Sequence, residues 1–485
     1  MNLSDYQHIQ NFIDGEFVDP KSNAYLDNTN PATGEVYGKI PNSNLADVEN
    51  AVQAAQQAFQ SWSTSTPEYR FKILNRIAEL IDENLDALAL AETTDNGKPL
   101  WLSKRVDIPR ASSNFRFFAT SILHFATESH VMEDKAINFT TRQAVGIVAC
   151  ISPWNLPLYL FTWKIAPALA AGNCVLAKPS EVTPLSAFLL AKICQEAGLP
   201  KGVLNIIHGD GASCGSAMVA HPSIKAISFT GSTRAGENIA AIAAPKFKKL
   251  SLELGGKNPN IIFADCDWDK MMKTTLQSSF ANQGQICLCG SRILVEKKIY
   301  DKFKTEFVEK VKQLKVGDPL DESSKQGAIV SKMHFQKIVD CIELAKEEGG
   351  KIIVGGQAIS PAGRCTNGYF ISPTIIEGLG PNCKTNMEEI FGPVVTLQSF
   401  ETEEEAIALA NNSTYGLAST IWTQDISKAN RTALKMQSGI VWINCWLLRD
   451  LRTPFGGIKN SGVGREGGWD ALRFFTEAKN ICFEL

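Results

Sequence analysis

The chain has 485 residues, of which 44% are hydrophobic and 20% charged, with a formal net charge of −3. Such a length buries a large core and predicts two or three domains, and so even a charge balance excludes a nucleic-acid footprint. The longest apolar runs, LPLYLFTW and AFLLAKIC, fall far short of the roughly 20 residues that span a bilayer.

The N-terminal MNLSDYQHIQNFIDGEF has no basic segment leading into an apolar one, so no signal peptide is expected. Short β-rich runs follow, NFIDGEFV and NPATGEVYGKIP, and Asp14 with Gly15 is the kind of pair that turns a hairpin. A helix is predicted over 46–62, with Val48, Val52, Ala55 and Phe59 on one face, and more helix to about residue 125. The segment 128–141 interrupts this region and ends in the β-like INFTTRQ.

From Val145 the texture alternates. GIVACI reads as a strand, LPLYLFTWKIAPALAAG as a helix ending at Gly172, NCVLAKPS as a strand and TPLSAFLLAKICQEAG as a helix with a threonine cap. VLNIIHG, GASCGSAMVAHP, KAISFTGS and RAGENIAAIAA continue as strand, helix, strand and helix. Strands alternating with helices predict a parallel, doubly wound sheet whose strand C-termini hold a nucleotide.

A second α/β region runs on to about residue 470, with helix YDKFKTEFVEKVKQL and β-runs VVTLQSF and GIVWINCW. The expected domains are a nucleotide-binding domain, 1–125 with 145–253, a second α/β domain, 254–474, and a small arm. The arm joins 126–144 to 475–485, where NICFEL pairs with INFTTRQ.

Twelve cysteines in so long a chain are not a disulfide framework. Cys150, Cys194 and Cys482 read as buried small hydrophobes in a reducing, cytoplasmic setting. FANQGQICLCGSR is different: Cys287 follows a glycine among small and polar residues, a neighbourhood that suits a nucleophilic thiolate. A zinc site needs about four ligands, and C-x-C without flanking histidines does not supply them, so no metal is expected.

Other stretches carry chemistry of their own. FTGSTRAG puts Gly231, Ser232 and Gly236 at a strand-to-helix turn, which holds a pyrophosphate or is simple turn chemistry. In AKPSE, Lys178 and Glu181 stand at a strand end, either as a ribose-binding pair whose acidic residue disfavours a 2′-phosphate and selects NAD, or as a solvated strand end with a helix cap. Glu253 of LELGGKNP, between leucines, is either a buried carboxyl whose raised pKa suits acid–base catalysis or a strand-edge glutamate facing water. Asn155 of ISPWNLP is either a helix N-cap or a donor to an oxyanion.

Taken in order and spacing, PWN, KPSE, FTGST, LELGGKNP, NQGQxC, EEIFGPV, NxSTYGLA and PFGGIKxSGxGRE resemble the NAD-dependent aldehyde dehydrogenase superfamily over residues 12–485. The resemblance implies an α/β fold with a Rossmann-like, doubly wound cofactor domain, a second α/β catalytic domain and a β oligomerisation arm. It makes Cys287 the nucleophile, Glu253 the general base, and Asn155 with the Cys287 N–H the oxyanion hole. Lys178 and Glu181 become the ribose pair, Gly231, Ser232 and Gly236 the pyrophosphate contacts, and Trp154, Glu389 and Phe391 the nicotinamide side. The partners implied are a small aldehyde and a second copy of the chain, as a homodimer or homotetramer.

Three arginines bear on the substrate. Arg110 in DIPRASSNFRFF, with Arg449 and Arg452 in NCWLLRDLRTPFGG, falls where the family lines its substrate tunnel. Converging arginines suit carboxylate recognition, unless they pair on the surface with Asp107 and Asp450. These stretches resemble the branch acting on muconic semialdehydes, so a carboxylate-bearing semialdehyde is expected. 2-Aminomuconate 6-semialdehyde stands first, with its 2-hydroxy analogue or a broad-specificity aldehyde dehydrogenase as the alternatives.

Overall fold

Two large sheets organise the chain, and their strand orders explain where the motifs meet. A computed structural model describes residues 7–485. The signal-peptide expectation and the start of the first predicted domain rest partly on residues 1–6, outside the described residues.

The first sheet runs Glu16–Val18, Asn11–Ile13, Leu204–Ile206, Cys174–Lys178, Ile147–Ile151, Ile224–Thr230, Lys249–Glu253, Gly462–Val463. Its five middle strands are parallel. From Ile147–Ile151 the chain adds two strands on one side, then crosses back to add two on the other, which opens a crevice at the strand C-termini. IVACI and CVLAK are buried at every position, as expected where helices cover both faces. At the sheet edge Ile13 pairs with Glu16, leaving Asp14 (φ 54°) and Gly15 (φ 76°) as a two-residue turn. Both are left-handed, as the hairpin geometry demands.

Helix Leu45–Ser63 begins in a capping box: the Asn44 side chain accepts from the Ala46 N–H, and the Asp47 carboxylate from the Asn44 N–H. The threonine cap expected for the helix of TPLSAFLLAKICQEAG is not there. Pro184 occupies the cap position of Leu185–Glu196, so Thr183 falls one residue too early. The buried Asp95 carboxylate takes the Leu185 N–H instead, at 2.7 Å.

The second sheet runs Lys351–Val354, Thr374–Glu377, Val394–Phe400, Arg292–Glu296, Pro259–Ile262, Ala418–Trp422, Ile440–Ile443. Only the edge strand Lys351–Val354 is antiparallel to its neighbour. The first sheet carries one large core of its own, while smaller apolar clusters surround the second.

Ahead of residue 474, the boundary expected from the sequence, the chain already folds back on the first sheet. Gly462–Val463 already pairs with the Glu253 strand, and Ala471, Leu472 and Phe475 pack into the first core. The chain thus returns to the first body about a dozen residues early, bringing its PFGG segment beside Glu253. Thr476–Glu484 then pairs antiparallel with Ala136–Ala144, which pairs with Ser129–Met132. This three-stranded arm has little packed on it, and Val131, Met132, Phe483 and Leu485 are exposed. Cys482 is exposed too, against expectation, because its strand has no covered face; Cys150 and Cys194 are buried. Among the described residues no helix is long and apolar enough to cross a membrane.

Candidate active site

Helix Trp268–Phe280 ends just before the cysteine loop, and three successive residues, Asn282 (φ 51°), Gln283 (φ 56°) and Gly284 (φ 68°), turn left-handed. Left-handed backbone at non-glycine residues costs roughly 1–3 kcal/mol each and persists only where the surroundings enforce it. Here Asn282 Nδ2 donates to the Asn155 carbonyl (2.8 Å) and Gln283 Nε2 to the Ala328 carbonyl (2.9 Å). A Cβ on Gly284 would lie 2.1 Å from the Gly392 carbonyl oxygen, so only glycine lets this loop pass EEIFGP. Beyond the turn, Asn258 of LELGGKNP donates to the carbonyls of both Cys287 (2.7 Å) and Cys289 (2.9 Å). Cys287 is half-buried at the end of this braced loop, and Cys289 is buried beside it. All twelve cysteines are free thiols.

Cys287 shares a cavity of about 360 Å³ with Glu253, Arg110, Arg449, Tyr159 and Phe455. Glu253 ends its strand, is 4% exposed, and neither of its carboxylate oxygens has a partner. Burial first, and then Glu466, holds its pKa well above the ordinary carboxylate value, against the pull of Lys164, Arg449 and Arg465. Gly456 permits this placement: its φ is +153°, and a Cβ there would sit 2.6 Å from Glu253 Oε1. Burial also raises the Cys287 thiol, helped by Glu389 and Glu253. A thiol and a strongly basic carboxylate in one desolvated cavity can exchange a proton and can activate water.

Asn155 is not the N-cap; that is Leu156, which makes no side-chain cap. The Asn155 amide instead reaches the cysteine loop and donates to the Gln285 carbonyl at 2.9 Å. The amide carries a second N–H donor beyond this bond.

Arg110 lies on helix Ile108–Leu123, with its guanidinium 5.3 Å from the Tyr159 ring centre and 5.6 Å from Trp163. The Arg449 guanidinium is 4.4 Å from Trp163 and 3.7 Å from Phe455. Nε and Nη2 of both side chains are buried without a partner. Burial lowers the Arg110 pKa, Tyr159 raises it and Arg449 lowers it. Two like charges held this way call for an anion.

Arg452 is a correction to the sequence reading. Its side chain is 81% exposed and grips Asp450 with two bonds of 2.9 and 2.6 Å, outside the cavity. Asp107, the other surface partner considered, bonds buried Lys98.

The crevice at the strand C-termini has a dinucleotide's polarity. Lys178 is buried, with Nζ 3.2 Å from Glu181. Ser232 is exposed at the start of helix Thr233–Ala243 and accepts from the Ala235 N–H. A Cβ on Gly236 would lie 2.6 Å from Leu254 Cδ2, and one on Gly231 2.4 Å from the Phe229 ring, so glycines keep the turn tight. Ser152, His208 and Thr230, at the C-terminal ends of three strands of the first sheet, bury polar side-chain atoms without partners. A chain of ribose and phosphate groups fits such an edge. Farther along, Glu389 Oε1 accepts from the Gly256 N–H at 2.8 Å. The Phe391 ring stands 5.2 Å from Trp154.

Two groups escaped the sequence. His334 Nε2 contacts the Phe391 carbonyl at 2.7 Å and its ring lies 4.9 Å from Trp154, bracing Phe391 in a left-handed conformation (φ 62°). Within its stretch, KMHFQKIVDCI shows only helical periodicity. Lys164 is fully buried, 2.7 Å from Glu466 behind Glu253. It hides in an apolar helix, 302 residues from its partner.

The sequence profile described as the aldehyde dehydrogenase family matches residues 17–481. A 2-aminomuconic semialdehyde dehydrogenase of Danio rerio is 48% identical over 479 residues, covering 98% of each chain. A 2-hydroxymuconic semialdehyde dehydrogenase of Pseudomonas sp. strain CF600 is 44% identical, covering 99% of this chain and all of its own. Among solved structures, a betaine aldehyde dehydrogenase of Staphylococcus aureus in complex with NAD+ superposes with a TM-score of 0.95. It is 39% identical and covers 99% of this chain and 95% of its own. The chain belongs to the aldehyde dehydrogenase family.

Proposed function

We propose that this member of the aldehyde dehydrogenase family is an NAD-dependent enzyme that oxidises a carboxylate-bearing semialdehyde to the acid, with 2-aminomuconate 6-semialdehyde as the preferred substrate. One observation carries the substrate class: Arg110 and Arg449 line the Cys287 cavity with buried guanidinium nitrogens that have no partner. The relatives that act on amino- and hydroxymuconic semialdehydes point the same way.

In this reading the Cys287 thiol gives its proton to solvent, and the thiolate sulfur attacks the aldehyde carbon. Asn155 Nδ2 and the Cys287 N–H hold the oxygen as charge develops on it; removing one such donor typically costs about 10²- to 10³-fold in turnover. When bound, NAD supplies the hydride acceptor that turns the cysteine adduct into a thioester. Glu253 then takes a proton from water, which attacks the thioester and releases the acid and the thiol. The raised carboxyl pKa suits this proton transfer.

Lys178 and Glu181 would hold a cofactor ribose, with Glu181 disfavouring a 2′-phosphate. Gly231, Ser232 and Gly236 would hold the pyrophosphate, and Trp154, Glu389 and Phe391 the nicotinamide end. The exposed edge and apolar residues of the arm support a homodimer or homotetramer. Twelve free thiols support a reducing, cytoplasmic setting.

The test is NADH formation with 2-hydroxymuconate semialdehyde, the more stable analogue, beside a neutral aliphatic aldehyde of similar length. A preference above ~100-fold in kcat/KM, about 2.7 kcal/mol of transition-state binding, is expected. Equal rates would leave a dehydrogenase without the arginine clamp.

A further inference from the structure

Behind Asn155 the chain buries a lysine between two carboxylates. Lys98, Glu92 and Asp107 each have side chains that are 0% exposed. Lys98 Nζ lies 2.7 Å from Asp107 Oδ2 and 3.6 Å from Glu92 Oε1, and it donates to the Asn155 carbonyl at 3.1 Å. Asn282 Nδ2 (2.8 Å) and Asn96 Nδ2 (3.3 Å) donate to that same oxygen. Glu92 Oε2 accepts the Leu158 N–H (3.2 Å) in the first turn of the helix that follows.

These contacts join separate parts of the site. Glu92 comes from helix Leu85–Asn96, and Asp107 from the π-turn Ser103–Asp107 that runs directly into the helix carrying Arg110. Asp107 precedes Arg110 by one helical turn. π-turns within helices are rare and frequent at functional sites, and this one lets Asp107 reach inward to Lys98. Stability does not account for the cluster, because buried ion pairs are often no better than apolar residues of similar volume. What the cluster does achieve is a fixed Asn155 backbone.

We propose that Lys98, held by Asp107 and Glu92, is a positioning residue that clamps the Asn155 carbonyl, so that the Asn155 amide faces the oxygen of the aldehyde on Cys287. The proposal rests on reading Asn155 as the oxyanion donor. It also ties that donor to the Arg110 helix, setting the distance between aldehyde and carboxylate ends of the substrate.

The experiment is a double-mutant cycle on the full enzyme: Lys98→Met and Asn155→Ala, alone and combined, with saturating NAD and semialdehyde. Lys98→Met should lower kcat roughly 10- to 100-fold, and in the Asn155→Ala background it should cost less than about threefold, since residues acting through one another are not additive. Alkylation of Cys287 by iodoacetamide should stay within about twofold of wild type, because Lys98 does not touch the sulfur.

Additive losses would overturn the positioning role, as would alkylation that slows in step with turnover. A fully active Asn155→Ala enzyme would instead overturn the oxyanion reading beneath it. Should Lys98→Met not fold, Asp107→Asn, close to isosteric, goes through the same cycle. Its kcat loss must then vanish with Asn155→Ala, and a loss that persists there refutes the clamp.

Discussion

Consider Arg449→Met. The methionine retains an apolar stem between Trp163 and Phe455, whose rings flank the guanidinium at 4.4 and 3.7 Å, and removes only the charged fork. A hydrogen bond to a charged partner contributes about 1.5–3 kcal/mol, so the loss should be roughly 10- to 150-fold in kcat/KM for a carboxylate-bearing semialdehyde. A neutral aldehyde never engages the fork and should stay within about threefold. Stability should move the other way: Nε and Nη2 are buried without partners, so the variant's Tm should equal or exceed that of the wild type. Steady-state NADH production on both substrates, with a thermal melt, makes the measurement. Equal losses on the two aldehydes would show that Arg449 shapes the cavity without reading the carboxylate.

Glu253→Gln should separate the two halves of the reaction: a first-turnover burst of NADH survives while steady-state turnover falls by 10²-fold or more, in line with the 10²–10⁴ of general-base catalysis. Because Glu253 raises the Cys287 thiol, the same variant should be alkylated faster than wild type above neutral pH, and an unchanged rate would count against their electrostatic coupling. Gly456→Ala places a Cβ 2.6 Å from Glu253 Oε1 and should cut steady-state turnover while leaving the number of titratable thiols unchanged. Asp95 offers a stability test. Burial raises its carboxyl to about 7 from 3.8, against hydrogen bonds from Tyr37, Leu185 and Asn28. The folded value lies above the unfolded one, so its effect is nil below about pH 3.8, destabilising progressively up to about 7 and constant beyond. Asp95→Asn should flatten that stretch of a Tm-against-pH curve, and a slope equal to wild type would assign the effect elsewhere.

The parallel sheet was legible because its strands are buried on both faces, which writes continuous apolar runs such as IVACI and CVLAK into the chain. The cysteine loop was legible for a different reason: Cys287 follows a glycine among small and polar residues, a neighbourhood suited to a thiolate, whereas Cys150 and Cys194 lie in apolar runs. What stayed hidden depends on long-range geometry. Arg449 and Arg452 are three residues apart in one loop, with the same chemistry, yet one is held between aromatic rings and the other turns to Asp450 in solvent. Nothing local distinguishes them. The Lys98–Asp107 pair was invisible likewise, since Asp107 read as a surface partner for arginine, and only the π-turn brings it inward.

Glu253 and Arg449 share a cavity, attract one another electrostatically and still form no hydrogen bond. A pair would stabilise the fold and remove both reagents from use, so the structure must hold them apart. The Glu253 backbone is fixed on both sides, its carbonyl accepting the Gly231 N–H at 3.0 Å and its strand pairing with Gly462. Arg449 is fixed by its face, because a planar guanidinium stacks on aromatic rings where a compact, strongly hydrated ammonium does not. Arg449→Lys therefore tests the separation itself. The lysine keeps the charge but loses the stacking, and its flexible stem lets it swing to Glu253. Pairing with a cation lowers a carboxyl pKa, which weakens the base for every substrate. Arg449→Lys should thus lose turnover on neutral and carboxylate-bearing aldehydes alike, by up to about 10-fold for each unit of pKa lost, whereas Arg449→Met loses only the latter. A lysine variant that keeps full activity on the neutral aldehyde would mean that something other than stacking keeps the two charges apart.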